Sequence, residues 1–289
     1  MSKTFGCQTM HQPLRKVLVR PPDQAFGRAE PERWHYTGRP DLAVATAEHE
    51  ALVKQIREYG AEIIFHDQDL PDHADALYVH DPAIVTDRGA IILRMGKALR
   101  RGEEGAMAAA FEHAGVPVLA RLAGEAVAEG GDLLWIDSAT LAVGQGYRTN
   151  AEGLRQLTAA LRPLEVSTVP VQLPYGEGPA ACLHLMSLIS ILDADLAAVF
   201  LPLLPVPFVE LLRHRGFHLV EVPESEFPTM GTNVLALGPR RCLALEGNPL
   251  TRRRLEEAGC EVLTYRGEEL SLKAEGGPTC LTRPILRSS

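Results

Sequence analysis

The chain has 289 residues, of which 46% are hydrophobic and 23% charged, and its formal net charge is −8. These values are typical of a globular protein that can bury a sizeable core without a metal or disulfides. The acidic balance, with both charge signs mixed along the chain, argues against nucleic-acid binding, which needs clustered basic residues. The basic run 252–254 is followed by Glu256 and Glu257, which indicates a solvated helix face.

Cysteine usage and hydropathy narrow the class of protein further. The five cysteines are odd in number and show no CxxC spacing, so we expect no disulfide framework and a reducing, cytoplasmic setting. Residues 1–12 are polar and lack the apolar stretch of a signal peptide. The most apolar run, 185–207, is broken by Asp193, Asp195 and three prolines. It predicts buried strands and turns, and no membrane span.

A helix, a glycine and an apolar strand follow one another repeatedly along the chain. The glycine-containing copies centre on Gly60, Gly115, Gly216 and Gly259, and a degenerate copy without glycine centres on Pro163. The successive spacings are 55, 48, 53 and 43 residues, in the range of supersecondary repeats. The glycine at each junction predicts a helix that ends in a left-handed residue.

The segments between these junctions predict strand hairpins. Three of them, 83–93, 133–143 and 233–245, alternate strand, turn and strand and precede helical stretches. Asn150 is predicted to cap the helix over 151–161, and Asn248-Pro249 to open the last helix. The repeating unit is therefore two strands, a helix and a strand. We expect one domain over residues 1–289, closed on itself, with a site where the loops converge at its centre.

Three motifs carry residues suited to covalent catalysis. Cys280 follows the glycine pair 276–277, Glu129 opens a Glu-Gly-Gly-Asp turn, and His184 lies between two leucines. A thiol, an imidazole and a carboxylate are the parts of a nucleophilic hydrolase, and they need to meet only in space. Taken singly, such residues are more often a buried cysteine, a core histidine and a solvated loop acid. Asp132 is expected to support its turn, and Cys182 to be a buried bystander.

Six short motifs together resemble one known family. The chain is similar to the guanidine-modifying enzymes of the pentein superfamily, and among them to the dimethylarginine dimethylaminohydrolase family. The motifs occur in the order typical of that family and lie at residues 75–82, 94–103, 129–132, 148–150, 183–185 and 277–280. The resemblance implies an α/β fold, a five-bladed propeller of ββαβ modules with pseudo-fivefold symmetry.

The resemblance also implies catalytic roles for the three candidate residues. Cys280 would attack the central carbon of a substrate guanidinium and form a covalent thiouronium. His184 would protonate the departing amine and then activate water, and Glu129 would hold the guanidinium nitrogens. The expected reaction is hydrolysis of an Nω-substituted, methylated arginine to citrulline and an alkylamine.

Four further residues are implied to bind the substrate. Asp81 would clamp the guanidinium, Arg100 and Arg148 would bind an α-carboxylate, and Asp75 would meet the α-amino end. We expect no metal and no cofactor, because the histidines and cysteines show no ligand spacing and a thiolate mechanism needs no Lewis acid. The expected partner is a small arginine derivative, without nucleic acid or membrane. The sequence leaves the oligomeric state open, with a homodimer as one arrangement.

Departures from the family pattern leave alternative functions open. His80 stands where dimethylargininases usually carry glutamate, which affects substrate identity. The segment 173–179 is glycine-rich, as in a mobile lid. The ending Gly-Gly-Pro-Thr-Cys is also similar to that of arginine deiminases and dihydrolases. Deimination or dihydrolysis of arginine, amidinotransfer and non-catalytic guanidine binding remain alternatives. Agmatine deimination is disfavoured, because Arg100 and Arg148 imply a carboxylate on the substrate.

Overall fold

The computed structural model describes residues 3–179 and 181–288. In these residues the chain forms fifteen strands, which are β1 Leu14–Val19, β2 Glu62–Phe65, β3 Ala83–Thr86, β4 Gly89–Ile92, β5 Val118–Arg121, β6 Leu133–Asp137, β7 Thr140–Gln145, β8 Ser167–Gln172, β9 Ile189–Asp193, β10 Leu196–Val199, β11 His218–Glu221, β12 Leu235–Gly238, β13 Arg241–Leu245, β14 Glu261–Tyr265 and β15 Arg283–Arg287. The α-helices of the same residues are α1 Gln24–Gly27, α2 Pro31–Trp34, α3 Leu42–Tyr59, α4 Glu103–His113, α5 Ala151–Leu161, α6 Val206–His214 and α7 Pro249–Glu257.

The strands of this described part form five small sheets of three strands each. In every sheet the central strand is antiparallel to one neighbour and parallel to the other. The parallel neighbour always follows a helix, as a parallel connection requires. Each module is therefore ββαβ, and the expected five-bladed α/β propeller is confirmed.

The first module joins the two ends of the chain. Its outer strand is β15, which pairs antiparallel with β1, while β2 pairs parallel with β1 on the other side. Five hydrophobic clusters then pack between neighbouring modules around the ring. One of them, for example, joins Leu14 of the first module to Leu243 of the fifth. The strands converge on the centre of this ring, where their connecting loops meet.

Helix endings follow the predicted glycine rule with one difference. Gly60, Gly115, Gly216 and Gly259 have φ values of 107°, 72°, 83° and 86°. The degenerate copy has its left-handed residue at Glu165, with φ 57°, and not at Pro163. The reason is that α5 runs on into a 3₁₀ turn, Arg162–Leu164, which moves the reversal two residues onward.

The two predicted asparagine caps behave differently. Asn150 caps α5, because its side chain accepts a hydrogen bond from the backbone N–H of Gly153. Asn248-Pro249 opens α7 as predicted, with Asn248 at the N-cap and Pro249 as the first helical residue, but the Asn248 side chain makes no capping hydrogen bond. Asn248 instead bonds to Thr229, and the carboxylate of Glu226 accepts the free N–H groups of the first helical turn.

The three predicted hairpins are confirmed as β3–β4, β6–β7 and β12–β13. A fourth hairpin, β9–β10, lies in the apolar run 185–207, where the sequence predicted only buried strands and turns. The same run also holds the start of α6, at Val206. Among the helices of the described residues, none combines the length and apolarity needed to span a bilayer.

Candidate active site

Cys280 lies in the turn that leads into β15, at the centre of the ring. The two glycines before it allow close packing, because a Cβ at Gly276 would overlap the ring of Tyr78 and one at Gly277 would overlap Asn233. Asn233 donates a hydrogen bond from Nδ2 to the Cys280 sulfur at 3.3 Å. Burial, reinforced by the charge of Asp81, raises the pKa of the Cys280 thiol to about 11. The free enzyme therefore holds Cys280 as a thiol at neutral pH.

His184 and Glu129 form a buried pair beside the thiol. The two side chains meet at 2.7 Å between Nε2 and Oε2, and the Glu129 side chain is fully buried. Burial alone would lower the pKa of His184, but neighbouring Cys182, Asp81 and Glu129 raise it well above the ordinary value. Burial would raise the pKa of Glu129, and His184 lowers it below the ordinary range. An imidazolium facing a carboxylate results.

Asp132 fixes the backbone around this pair. One carboxylate oxygen accepts the N–H of Leu185 at 3.0 Å and the other accepts the hydroxyl of Thr149 at 2.6 Å. A Cβ at Gly131 would lie 2.5 Å from His184 Nδ1, so the glycine lets the imidazole rest on the backbone. As expected from the sequence, Asp132 supports the turn. Burial raises the pKa of its carboxyl to about 6.

Asp81 is held in place by both backbone and side chain. Its Oδ1 accepts the N–H of Gly131 at 2.9 Å, and its Oδ2 meets Arg100 Nη1 at 2.5 Å. Burial would raise the pKa of Asp81, but the Arg100 guanidinium lowers it far below the usual range. Asp81 is therefore a fixed carboxylate anion that lines the same cavity as Cys280 and His184.

The two arginines predicted to bind a carboxylate have different surroundings. Arg100 is buried and bonds to Asp81, to both oxygens of Glu103 and to the carbonyl of Tyr78. Within residues 3–179 and 181–288, the only hydrogen bond of Arg148 runs to the Ala181 carbonyl at 3.3 Å. The Arg148 guanidinium also lies 3.7 Å from Glu129. Among the described residues, the donors of Arg100 are therefore largely used by the protein, whereas most of those of Arg148 are not.

Lys97 is a pocket residue that the sequence interpretation missed. Its ammonium contacts Asp75 at 2.6 Å and lies over the ring of Trp34, 5.3 Å from the ring centroid. Asp75 also accepts the hydroxyl of Tyr36 at 2.6 Å. Lys97 stands within the motif 94–103, so its position in that motif was the available signal, but only the fold brings it to Asp75.

His80 lies against the other side of Asp81 and lines the cavity beside Cys280. Its Nδ1 is 2.8 Å from the carbonyl of Thr282, which fixes the tautomer with the proton on Nδ1. Burial lowers the pKa of His80 to about 3, helped by the nearby charge of Arg283. His80 is therefore neutral, where the family pattern has a carboxylate, and the site carries one negative charge less.

Cys182 is not the buried bystander that the sequence predicted. The residue is exposed, and its sulfur lies 3.6 Å from His184 Nδ1. The reason is that residues 181–183 lie between β8 and β9 and line the cavity, so the Cys182 side chain is not enclosed by a sheet or helix. Gly176 and Glu177 of the proposed lid 173–179 also line this cavity, and exposed Tyr175 packs edge-on against Tyr147.

Three side chains of this site have the chemistry of metal ligands. Atoms of Asp81, Glu129 and His184 lie within 4.8 Å of one another. The sequence showed no ligand spacing because these residues come from three different loops. Asp81 accepts from the Arg100 guanidinium, Glu129 accepts from the backbone N–H of Lys97, and Glu129 and His184 bond to each other, so a metal would have to displace some of these partners.

The five-module propeller and the thiol, imidazole and carboxylates at its centre define the class. This architecture is that of the guanidine-modifying pentein superfamily. A solved structure of the dimethylarginine dimethylaminohydrolase of Pseudomonas aeruginosa, a mutant complexed with citrulline, superimposes with a TM-score of 0.79. It is 24% identical and covers 94% of this chain and 100% of that one, which shows the fold.

Sequence comparison gives the family. Residues 37–287 match the family described as N,N dimethylarginine dimethylhydrolase, eukaryotic. The N(G),N(G)-dimethylarginine dimethylaminohydrolase of Streptomyces coelicolor is 32% identical over 272 residues, covering 93% of this chain and 96% of that protein. The corresponding Pseudomonas aeruginosa protein is 28% identical over 251 residues, covering 86% and 91%. The chain belongs to the dimethylarginine dimethylaminohydrolase family.

Proposed function

We propose that the protein hydrolyses Nω-methylated arginine to citrulline and an alkylamine through a covalent intermediate on Cys280. One observation carries this proposal. A half-buried thiol, a raised-pKa imidazole and the fixed Asp81 carboxylate lie at the junction of two adjoining cavities, and Arg148 and Lys97 line the smaller, polar one. Family membership supports the same reaction, because the dimethylarginine dimethylaminohydrolases of Streptomyces coelicolor and Pseudomonas aeruginosa match 93% and 86% of this chain. Relatives named arginine deiminase match 55% of it, which keeps deimination as the second candidate.

Binding places the cationic carbon between anions. Asp81, whose pKa is far below the usual range, offers a permanent carboxylate to the guanidinium nitrogens. Glu129 offers a second, buried carboxylate close by. Arg148, with donors to spare, takes the α-carboxylate of the amino acid, and Arg100 adds its charge while holding Asp81 in place. Asp75, which forms an ion pair with Lys97, faces the α-amino end of the substrate.

The first step breaks the bond to the departing amine. A bound guanidinium stabilises the anion beside it, so the thiol loses its proton to solvent as the substrate enters. The thiolate then forms a bond to the guanidinium carbon, giving a neutral tetrahedral adduct. His184, protonated at rest, donates its proton to the substituted nitrogen. The amine leaves and a cationic thiouronium remains on Cys280.

The second step consumes water and restores the enzyme. His184, now neutral, accepts a proton from water as its oxygen attacks the thiouronium carbon. The C–S bond breaks, the sulfur takes the second proton, and citrulline is released. The hydrogen bond between Glu129 and His184, 2.7 Å long, keeps the imidazole oriented through both steps. Cys280 is again a thiol and His184 again an imidazolium, so the cycle closes.

A product screen tests the proposal. The purified protein is incubated with arginine, Nω-methylarginine, asymmetric dimethylarginine and agmatine, and both the ureido product and the released amine are measured. We expect citrulline with methylamine or dimethylamine from the methylated substrates, and at least ten times slower turnover of arginine and agmatine. Ammonia released fastest from arginine would instead indicate a deiminase or dihydrolase. Exchange of an added amine into a guanidino product would indicate an amidinotransferase.

A further inference from the structure

Two cavities of unequal size meet at the reactive groups. The polar cavity has a volume of about 40 Å³ and the other one about 290 Å³. They share five residues at their junction, which are Asp81, Cys182, His184, Glu275 and Cys280. The smaller one holds the charged groups that suit an amino-acid end, Lys97, Arg100 and Arg148 among them. The larger one has no counterpart in the function proposed above, because a methyl group fills little of it.

The wall of the larger cavity is mainly apolar. It is lined by Leu183, Met186, Leu203, Phe227, Pro228 and Met230. Polar groups, Ser187, Thr232 and Thr279 among them, are interspersed, and Glu177 also contributes to the lining. The apolar part of this surface gains free energy by covering hydrocarbon, while the carboxylates of Asp81 and Glu275 lie at the junction with the polar cavity.

The apolar wall is rigidly built. Phe227 stacks on Phe200 with ring centroids 3.9 Å apart. The side-chain carboxylate of the preceding residue, Glu226, accepts hydrogen bonds from the backbone N–H groups of Leu250 and Thr251 at the start of α7. Met230 adopts the left-handed conformation, with φ 60°, which is unusual for a residue with a long side chain. A backbone held in such a conformation indicates that the surrounding contacts fix its position.

We propose that this apolar cavity receives the Nω substituent of the substrate, and that arginines with alkyl or arylalkyl substituents larger than methyl are substrates. The inference rests on the function proposed above. With the α-carboxylate at Arg148, the chain of the substrate enters from the polar cavity and the guanidinium lies at the junction. The substituted nitrogen then points away from the amino-acid end, towards the larger cavity. The reaction is unchanged, since the C–N bond to the substituted amine breaks and His184 supplies its proton.

Burial of hydrocarbon sets the size of the expected preference. Each methylene that leaves water is worth roughly a fourfold change in binding. A propyl group adds two methylenes to methyl, which corresponds to roughly a ten- to twentyfold gain in kcat/KM. A benzyl group buries still more apolar area and contacts the ring of Phe227.

The test compares Nω-methyl-, Nω-propyl- and Nω-benzyl-arginine by the rate of citrulline formation. We expect kcat/KM for propyl and benzyl substrates to exceed that for methyl by at least about tenfold. In Leu203→Trp, which fills the cavity, the ratio of benzyl to methyl kcat/KM should fall at least tenfold. Val206→Trp is the matched control, because Val206 is 73% exposed and lies outside the cavity, three residues further along. It should leave the ratio unchanged.

A second variant guards against misfolding of the first. Met230→Gly removes part of the apolar wall and suits the left-handed backbone at that position. It should likewise lower the benzyl-to-methyl ratio. Wild-type turnover of methylarginine with benzyl- and propyl-arginine at least tenfold slower would overturn this inference and leave the proposed function standing. Absence of turnover with every substrate would overturn both. A ratio unaffected by Met230→Gly and Leu203→Trp, with both variants folded, would overturn the inference alone.

Discussion

The two cavities that meet at Cys280 are built on opposite principles. The polar cavity is made by loops of the first three modules, and its charges, such as Lys97 with Asp75, are paired at contact distance. The larger cavity takes its apolar wall mainly from the loops around the last two modules and depends on packed apolar side chains such as Phe227. Paired charges define orientation and chemistry, while an apolar wall defines only size. The difference teaches that the orientation of a substrate and the range of substituent sizes that it can carry can be set by separate sides of one site.

Removal of the Cys280 thiol, at the junction of the two cavities, should have the largest effect on activity. Cys280→Ser is expected to lower kcat by about 10⁴-fold or more, because both cavities serve the same nucleophile. Turnover measured by citrulline release checks this, with a thermal melt to show that the variant folds. The controls Cys7→Ser and Cys260→Ser should retain activity. A fully active Cys280→Ser enzyme would end the proposed mechanism.

The pH dependence of thiol alkylation tests whether Cys280, at the junction of the two cavities, is a neutral thiol in the absence of substrate. The pKa of Cys280 is raised to about 11, mainly by burial, so the reactive thiolate is scarce at pH 7. We expect the rate of inactivation of the free enzyme by iodoacetamide to rise about tenfold per pH unit from pH 7 to pH 10. A rate that is flat between pH 6 and pH 9 would show instead a resting thiolate paired with His184.

Arg148→Lys tests the role of the polar cavity alone, because Arg148 lines that cavity and not the larger one. Loss of the planar fork should raise KM for amino-acid substrates by about 10- to 100-fold, since one partner of a buried charged pair is worth a few kcal/mol. Agmatine lacks the carboxylate, so whatever turnover it shows should be unaffected. Equal impairment of both substrate types would make Arg148 a structural residue and remove the argument that the polar cavity orients an amino acid.

Asn233→Ala probes the hydrogen bond that reaches Cys280 from the side of the larger cavity. A hydrogen bond to a charged sulfur is worth about 1.5–3 kcal/mol, so kcat should fall by roughly tenfold or more. The positioning role has its own signature, a shift of the alkylation pH profile to higher pH, because the 3.3 Å bond lowers the pKa of the thiol. A drop in melting temperature with an unshifted profile would indicate a purely structural asparagine.

Chelation should have the smallest effect of all. Asp81, Glu129 and His184 lie close enough to hold an ion, yet each is engaged in the proposed acid–base and binding work. Dialysis against a chelator is expected to change activity by less than about twofold, as a thiolate mechanism requires no Lewis acid. Activity that is lost on dialysis and returns with zinc would contradict this prediction and assign the cluster to a metal.

The sequence predicted the modular fold well because the relevant signals are local. A glycine that ends a helix, as at Gly60, must adopt positive φ whatever surrounds it. The same holds for the cap at Asn150 and for the alternation of the three confirmed hairpins. The fourth hairpin escaped prediction because its strands are apolar on both faces, so the alternation that marks a half-buried strand is missing.

The sequence by itself also identified the motifs proposed to hold the chemistry, since Cys280, His184 and Glu129 stand in short segments that can be compared one by one. Only the tertiary structure decided how those residues are paired. It shows that Arg100 is bonded within the described part of the protein while Arg148 is largely not, that Cys182 is exposed, that Lys97 pairs with Asp75, and that an apolar cavity adjoins the site. Pairing and volume depend on loops that are distant in sequence and meet at the centre of the ring. No local pattern records which side chains face each other there, because that is fixed by the closure of five modules around one axis.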